Sequence, residues 1–375
     1  MEPAQPINET FYLKQIIELK DEIIKLQKII IEKNQIIEKD KEIINDLRNK
    51  LNQKQEQEKE QSQEQKEKII TPNKNFNIQE KEVIFKDKGS YKFYCIYILQ
   101  DGRIAAGDSS GNIIIYNKNN FKSELTIKES GYIMYLTQLK NGSLVSLNSD
   151  GSINIYNLLE NFKYLLLQKI KAHSARVHKL RTFDNEKEFM TCSDDCTIKF
   201  FFKDQNEYKE DYCFKDDVKI FNILRTREGE IVYSGYNSNS YVKFYDLKTR
   251  KIIDSSKVKA LYNGLTDGLY KLSDIYLLVG ATNSILIFDI NQHRQIKEIE
   301  SENSSVITSF IKIDNKCLLS ADCKGNIKQW IIDGDNLILE NVKNNAHEEQ
   351  IRMIRRNEEG LIITCSDDQS IKIWK

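Results

Sequence analysis

The sequence predicts an all-β ring of seven four-stranded sheets, a β-propeller, preceded by a long α-helix built to pair in a coiled coil. Three observations carry this. A short phrase, a small polar loop followed by two β-formers one residue apart and then an aromatic, closes on Tyr116, Tyr156, Phe201, Tyr245, Phe288, Trp330 and Trp374. Its spacings of 40, 45, 44, 43, 42 and 44 residues are the fixed period of a repeat architecture. Ahead of the first copy, apolar residues fall at alternating steps of three and four, which is heptad spacing.

Composition bounds the partners. With 375 residues, 40% hydrophobic and 10% aromatic, the chain can bury a substantial core. Lys and Arg number 56 and Asp and Glu 56, so overall charge gives no reason to expect nucleic acid or a membrane surface. The opening Met1-Glu2-Pro3-Ala4-Gln5-Pro6 lacks the basic and apolar blocks of a signal peptide, and no run approaches the ~20 apolar residues of a membrane span. An intracellular, cytoplasmic protein is the expectation. Seven cysteines without paired short spacing read as reduced thiols, most of them buried in strands.

Residues 1–9 are expected to be disordered and residues 10–51 to form the coil, helical as far as 68. Ile16, Ile23, Ile30, Ile37 and Ile44, closing with Leu51, hold the first core position, and Leu19, Leu26 and Leu47 the second. Ile at the first and Leu at the second favours a parallel dimer. Lys33 and Asp40 interrupt the second position, and Ile29, Ile36 and Ile43 widen the seam, leaving a trimer or a hetero-coiled coil open. Asn8 or Thr10 can cap the helix. Residues 52–78 turn polar, beginning Gln53-Lys54-Gln55-Glu56, and read as a tether.

Residues 79–375 hold the repeats. Gly102, Gly142, Gly229 and Gly360 supply the positive φ of tight hairpins, and Asp184-Asn185 and Asp314-Asn315 serve two further periods. A fourth strand follows the aromatic, as in Ser123-Glu124-Leu125-Thr126-Ile127, Tyr164-Leu165-Leu166-Leu167 and Leu337-Ile338-Leu339-Glu340. The last period ends at Lys375 after three strands, so residues 82–86, Glu82-Val83-Ile84-Phe85-Lys86, are expected to close its sheet.

These residues resemble the WD-repeat β-propellers. The seventh period carries His347, Thr364, Asp368 and Trp374, matching the structural tetrad of that family, in which hydrogen bonds tie the strands of a blade together. The third keeps His173, Thr191 and Asp195 but ends in Phe201, which has no N–H to donate. Elsewhere Ser110, Asn239, Thr282 and Lys324 stand where the family places Asp. The resemblance implies a non-enzymatic scaffold or adaptor that binds proteins or peptides on one propeller face, oligomerised by the coil. Matched to the first-strand pattern of the family, that face carries Lys92, Tyr94, Tyr132, Met134, Arg176, His178, Lys219, Phe221, Gln350 and Arg352. They are mostly aromatic and basic, suited to an acidic peptide.

Chemistry is not indicated. His173 and His178 lack a neighbouring Cys-x-x-Cys or His-Glu-x-x-His pattern, so neither a metal nor a cofactor is expected. Cys192 and Cys196 read as packing residues, and Asp194-Asp195 and Asp367-Asp368 as loop structure; no phosphate loop, nucleophile elbow or kinase signature appears. Arg355-Arg356 resembles the paired arginines of phosphoinositide-binding propellers, though Ile354 and Asn357 do not match their flanks. An adaptor recognising phosphoinositide or ubiquitin, at membranes or in a ligase or autophagy complex, is the alternative.

Overall fold

A computed structural model gives the fold. It describes residues 20, 27, 33, 80–86, 91–183, 187–258, 268–301 and 305–375. Apart from residues 20, 27 and 33, the disordered start expected over 1–9, the coil expected over 10–51 and the tether over 52–78 lie outside the described residues. Contacts divide the chain between Asn77 and Ile78, and the second unit, residues 78–375, holds the strands.

The described strands form seven sheets of four. Blade 1 spans residues 93–128, blade 2 133–171, blade 3 177–215, blade 4 219–258, blade 5 269–300 and blade 6 307–343. Each is an antiparallel meander whose strands follow in chain order. The seventh sheet is different. Its three strands from residues 351–374 take Glu80–Lys86 as the fourth, paired antiparallel with Ser370–Trp374 from Glu80 opposite Trp374 to Lys86 opposite Ser370. The first strand of each blade packs against the first strand of the next, and that of blade 1 against that of blade 7, so the inner strands make a closed ring. Closure packs each blade between two neighbours, while its outermost strand stays paired on one side only.

Local sequence explains the repetition. Second strands such as Ile362–Ser366 and Leu144–Asn148 are buried along their whole length, whereas the outermost strands are largely exposed. Apolar β-formers therefore fill the middle of each sheet, and the core lies between adjacent blades. Trp330, Trp374, Tyr116, Tyr245, Phe201 and Phe288, six of the seven phrase-ending aromatics, are among its largest buried side chains. Gly151 and Gly325 hold left-handed turns, φ 86° and 80°, where a β-carbon would meet the carbonyl oxygens of His173 and His347 at 2.1 Å. Only glycine admits so close an approach.

The cysteine expectation is corrected. Cys95, Cys192 and Cys365 are buried, but Cys196, Cys317 and Cys323 are partly exposed and Cys213 is exposed. Cys196 and Cys323 sit in the turns between second and third strands, and Cys213 on an outermost strand.

Candidate docking face

Each blade needs a tie between the loop entering its first strand and the strands beyond. In blade 7, His347 Nδ1 donates to Asp368 Oδ2 at 2.9 Å, because a carboxylate only accepts. That leaves Nε2 as acceptor for the Thr364 hydroxyl at 2.7 Å, and Trp374 Nε1 donates to the same hydroxyl oxygen at 2.8 Å. Blade 3 repeats the first two links, His173 to Asp195 at 2.9 Å and to Thr191 at 2.8 Å; Phe201 ends it without a third.

The same position is filled by other chemistry elsewhere, and sequence reasoning missed it. The backbone N–H groups of Glu129, His173, Asp216, Ser301 and His347 all donate to the turn between the second and third strands of the preceding blade, at Gly111, Gly151, Cys196, Asn283 and Gly325. In blade 2, Glu129 accepts from Ser146 Oγ at 2.5 Å, Asn154 Nδ2 at 2.6 Å and Tyr156 Oη at 2.8 Å. In blade 4, Asp216 accepts from Tyr233 Oη at 2.6 Å and pairs with Lys243 Nζ at 2.9 Å. In blade 6, Lys328 Nζ donates to Ser301 Oγ at 2.6 Å while Trp330 Nε1 reaches Ser320 at 2.8 Å. These positions stand one period apart, except Asp216 and Ser301, which stand two apart, but their side chains share no residue type that would mark them in the sequence.

Residues 165–201 and 343–375 match the family model of the WD domain, G-beta repeat. These two stretches match WD40 repeats. The matched stretches are the two whose tie is a histidine; Glu129, Asp216 and Ser301 fill that position in blades 2, 4 and 6, outside those stretches. Among curated proteins no sequence matches the chain.

The candidate face of this propeller is set by a recurrent bulge. The register between first and second strands skips one residue at Tyr94, Met134, His178, Phe221, Thr308 and Arg352. A bulge leaves its extra residue outside the ladder and redirects the side chain, a device common at functional rims. Five of these residues are among those the sequence singled out; Thr308 is the sixth, and it is buried with its hydroxyl donating to the Ala321 carbonyl at 3.0 Å.

The candidates fall into two groups. Around blades 7, 1 and 2, the Arg352 guanidinium grips both oxygens of Asp367 at 2.7 and 2.8 Å and lies 4.9 Å from the Tyr94 ring centre. Tyr94 meets Tyr132 edge to face at 6.1 Å, and Lys92 Nζ reaches Asp367 at 3.3 Å and Glu349 at 3.4 Å. Gln350 supplies its carbonyl to the Asp367 N–H at 3.0 Å, and its amide nitrogen is buried without a partner. Around blades 3 and 4, Asp194 accepts from Arg176 at 2.7 Å and His178 at 2.8 Å, and His178 packs against Phe221 with ring centres 5.3 Å apart. Arg176, Lys219 and Phe221 line a cleft of about 340 Å³ with Asp194, Asp217 and Tyr236.

Two expectations are corrected here. Met134, His178 and Phe221 are 9%, 0% and 4% exposed, so the bulge tucks them beneath the face rather than displaying them. The basic rim is also matched by acid: Asp194 and Asp367, the first members of the two Asp doublets, clamp Arg176 and Arg352. Burial by itself pushes the Asp194 carboxyl up, but donation from His178 and Arg176 outweighs it and holds the group below the usual range. The remaining arginine pair does not act together, since Arg355 donates to the Ile354 carbonyl and Arg356 to that of Ile313. Among the described residues no group of three or more His, Cys, Asp or Glu is placed to hold a metal, and no helix is long and apolar enough to cross a membrane.

Proposed function

We propose that this chain is a non-enzymatic scaffold that gathers protein partners on its bulged face, with copies joined through the coil of residues 10–51. WD40 propellers are typical of protein-interaction scaffolds. The cleft between blades 3 and 4 carries the reading. It offers a cation at Lys219, an acid at Asp217 and aromatic edges at Phe221 and Tyr236 within one opening, the mixture by which interfaces anchor a peptide. Its paired arginine and acid favour a partner segment with both signs of charge, because a uniformly acidic one meets Asp194 and Asp217 as well.

Arg176→Glu with Lys219→Glu tests the cleft, both side chains being exposed and removable without opening the core. Affinity capture from the source cell with the full chain should lose a set of partners in this double variant. An unchanged set rejects the cleft. Light scattering of the full chain tests the coil separately, where a monomer mass rejects self-association.

A further inference from the structure

The outermost strand of blade 2, Lys163–Lys171, is paired on one side only, with Ser152–Leu159. Its central residues Tyr164, Leu165, Leu166 and Leu167 are 42%, 53%, 46% and 50% exposed, and the adjoining hairpin adds Leu159 and Phe162. These are six of the fourteen exposed large hydrophobic residues among those described, within nine consecutive positions. So dense an apolar stretch at a free edge is what natural sheets avoid.

The other outer strands are less apolar. Opposite the phrase-ending aromatic, each carries a bulge whose extra residue is charged in blades 1, 3 and 6, at Glu124, Asp211 and Glu340; in blades 4 and 5 it is Ile253 and Ile296, each followed directly by a charge, Asp254 and Lys297. Blade 2 has Leu167 and Gln168 there. Its hairpin is unusual too, because Asn161 and Phe162 both hold left-handed φ, 59° and 56°. Asparagine tolerates that conformation; a bulky aromatic does so at a cost of order 1 kcal/mol, and Phe162, 56% exposed, recovers little of it by burial.

We propose that Lys163–Leu166 and the Phe162 turn form a second docking edge, which takes an extended, apolar, acid-flanked peptide of a partner protein as a fifth strand. Backbone pairing supplies the affinity, and the exposed leucines and aromatics hold alternate side chains of the peptide. Charge selects the flanks. Lys163, Lys169 and Lys171 are exposed along the strand, the last donating to the Asp150 carbonyl, with Glu160 at the turn. A second copy would set these lysines against one another. The straight run before the bulge is also only about 13 Å long, too short to approach the ~1,000 Å² that a stable dimer of propellers needs. A lipid surface fits no better, since edge N–H and C=O groups entering hydrocarbon would find no partner.

The test uses the full chain and a fluorescein-labelled probe, Asp-Glu-Val-Ile-Val-Ile-Asp-Glu. Saturable binding is expected, about tenfold weaker when alternate amides of the probe are N-methylated, and about tenfold weaker with Lys in place of its acidic flanks. Leu165→Lys with Leu167→Lys should weaken binding at least as much while melting like the native chain. Should that variant fail to fold, hydrogen exchange decides: of residues 163–166, the alternate amides that do not pair with Ser152–Leu159 should exchange freely in the unliganded chain and be protected by the probe. Absent binding, insensitivity to N-methylation, or protection before the probe is added, whether by a second copy or by the chain itself, overturns the proposal. So does binding to phosphatidylserine vesicles that the double lysine variant abolishes.

Discussion

Glu129 accepts a hydrogen bond from the Tyr156 hydroxyl at 2.8 Å, in the position that His173 fills one blade later. The carboxylate gathers three donors, so its removal leaves Ser146, Asn154 and Tyr156 without their acceptor. Glu129→Ala should cost about 3 kcal/mol and Glu129→Gln about 1 kcal/mol, because the amide keeps one acceptor oxygen. Urea midpoints at neutral pH check this, and equal losses would refute it.

Trp374→Phe isolates the indole contribution in blade 7. The ring stays, but the N–H donated to Thr364 is lost. A loss of about 1 kcal/mol is expected from the hydrogen bond, with a smaller packing term. The reverse change in blade 3, Phe201→Trp, gives no matching gain unless the indole reaches Thr191, and comparing the two denaturation midpoints measures that difference.

Acid should loosen blades 3 and 7 first. Burial alone raises the carboxyls of Asp195 and Asp368, but donation from His173 and Thr197, and from His347 and Ser370, holds both well below the usual range. Folding lowers these values, so the stabilisation is complete above the free carboxyl value of about 4 and is lost as pH falls further. Stability measured from pH 7 down to pH 3 should therefore fall below about pH 4. Asp368→Asn should lower stability at pH 7 and flatten that limb; a steeper limb would contradict the assignment.

Removing residues 80–86 from the chain should lower the melting temperature by about 10 °C or more, since it opens the ring and bares the edge of Ser370–Trp374. An unchanged melt would mean the seventh sheet is complete without them.

Thiol labelling should separate the cysteines by burial. Cys213 is exposed, whereas Cys365 is buried with its thiol pushed up to about 12, and Cys95 and Cys192 are buried and raised likewise. Little thiolate exists at such sites. Maleimide followed by mass spectrometry should mark Cys213 in the native protein and these three only on unfolding.

The ring was legible because its period is written in the aromatics that end each phrase, and buried aromatics at a fixed interval have few alternative packings. The blade ties were legible only where histidine fills the position. Glu129, Asp216 and Ser301 share its backbone bond, but side chains of unlike chemistry leave no common letter to read. Of the candidate face, the pattern placed Tyr94 and Arg352 at corresponding positions, but it could not say that the bulges sink Met134, His178 and Phe221, or that Asp367 holds Arg352. Exposure at Leu165 was hidden for a related reason, since a leucine run on an edge strand spells the same as one in a core.

The pairing of Glu80 with Trp374 also orders events during synthesis. The strand that completes the ring leaves the ribosome first and must wait for the residues it pairs with, which follow nearly 300 positions later. At roughly 5–20 residues per second that wait is about 15–60 s. Through that interval the nascent chain carries an open edge at Glu80–Lys86 and an unfinished ring of blades, so its demand on chaperones should fall once Ser370–Trp374 is in place.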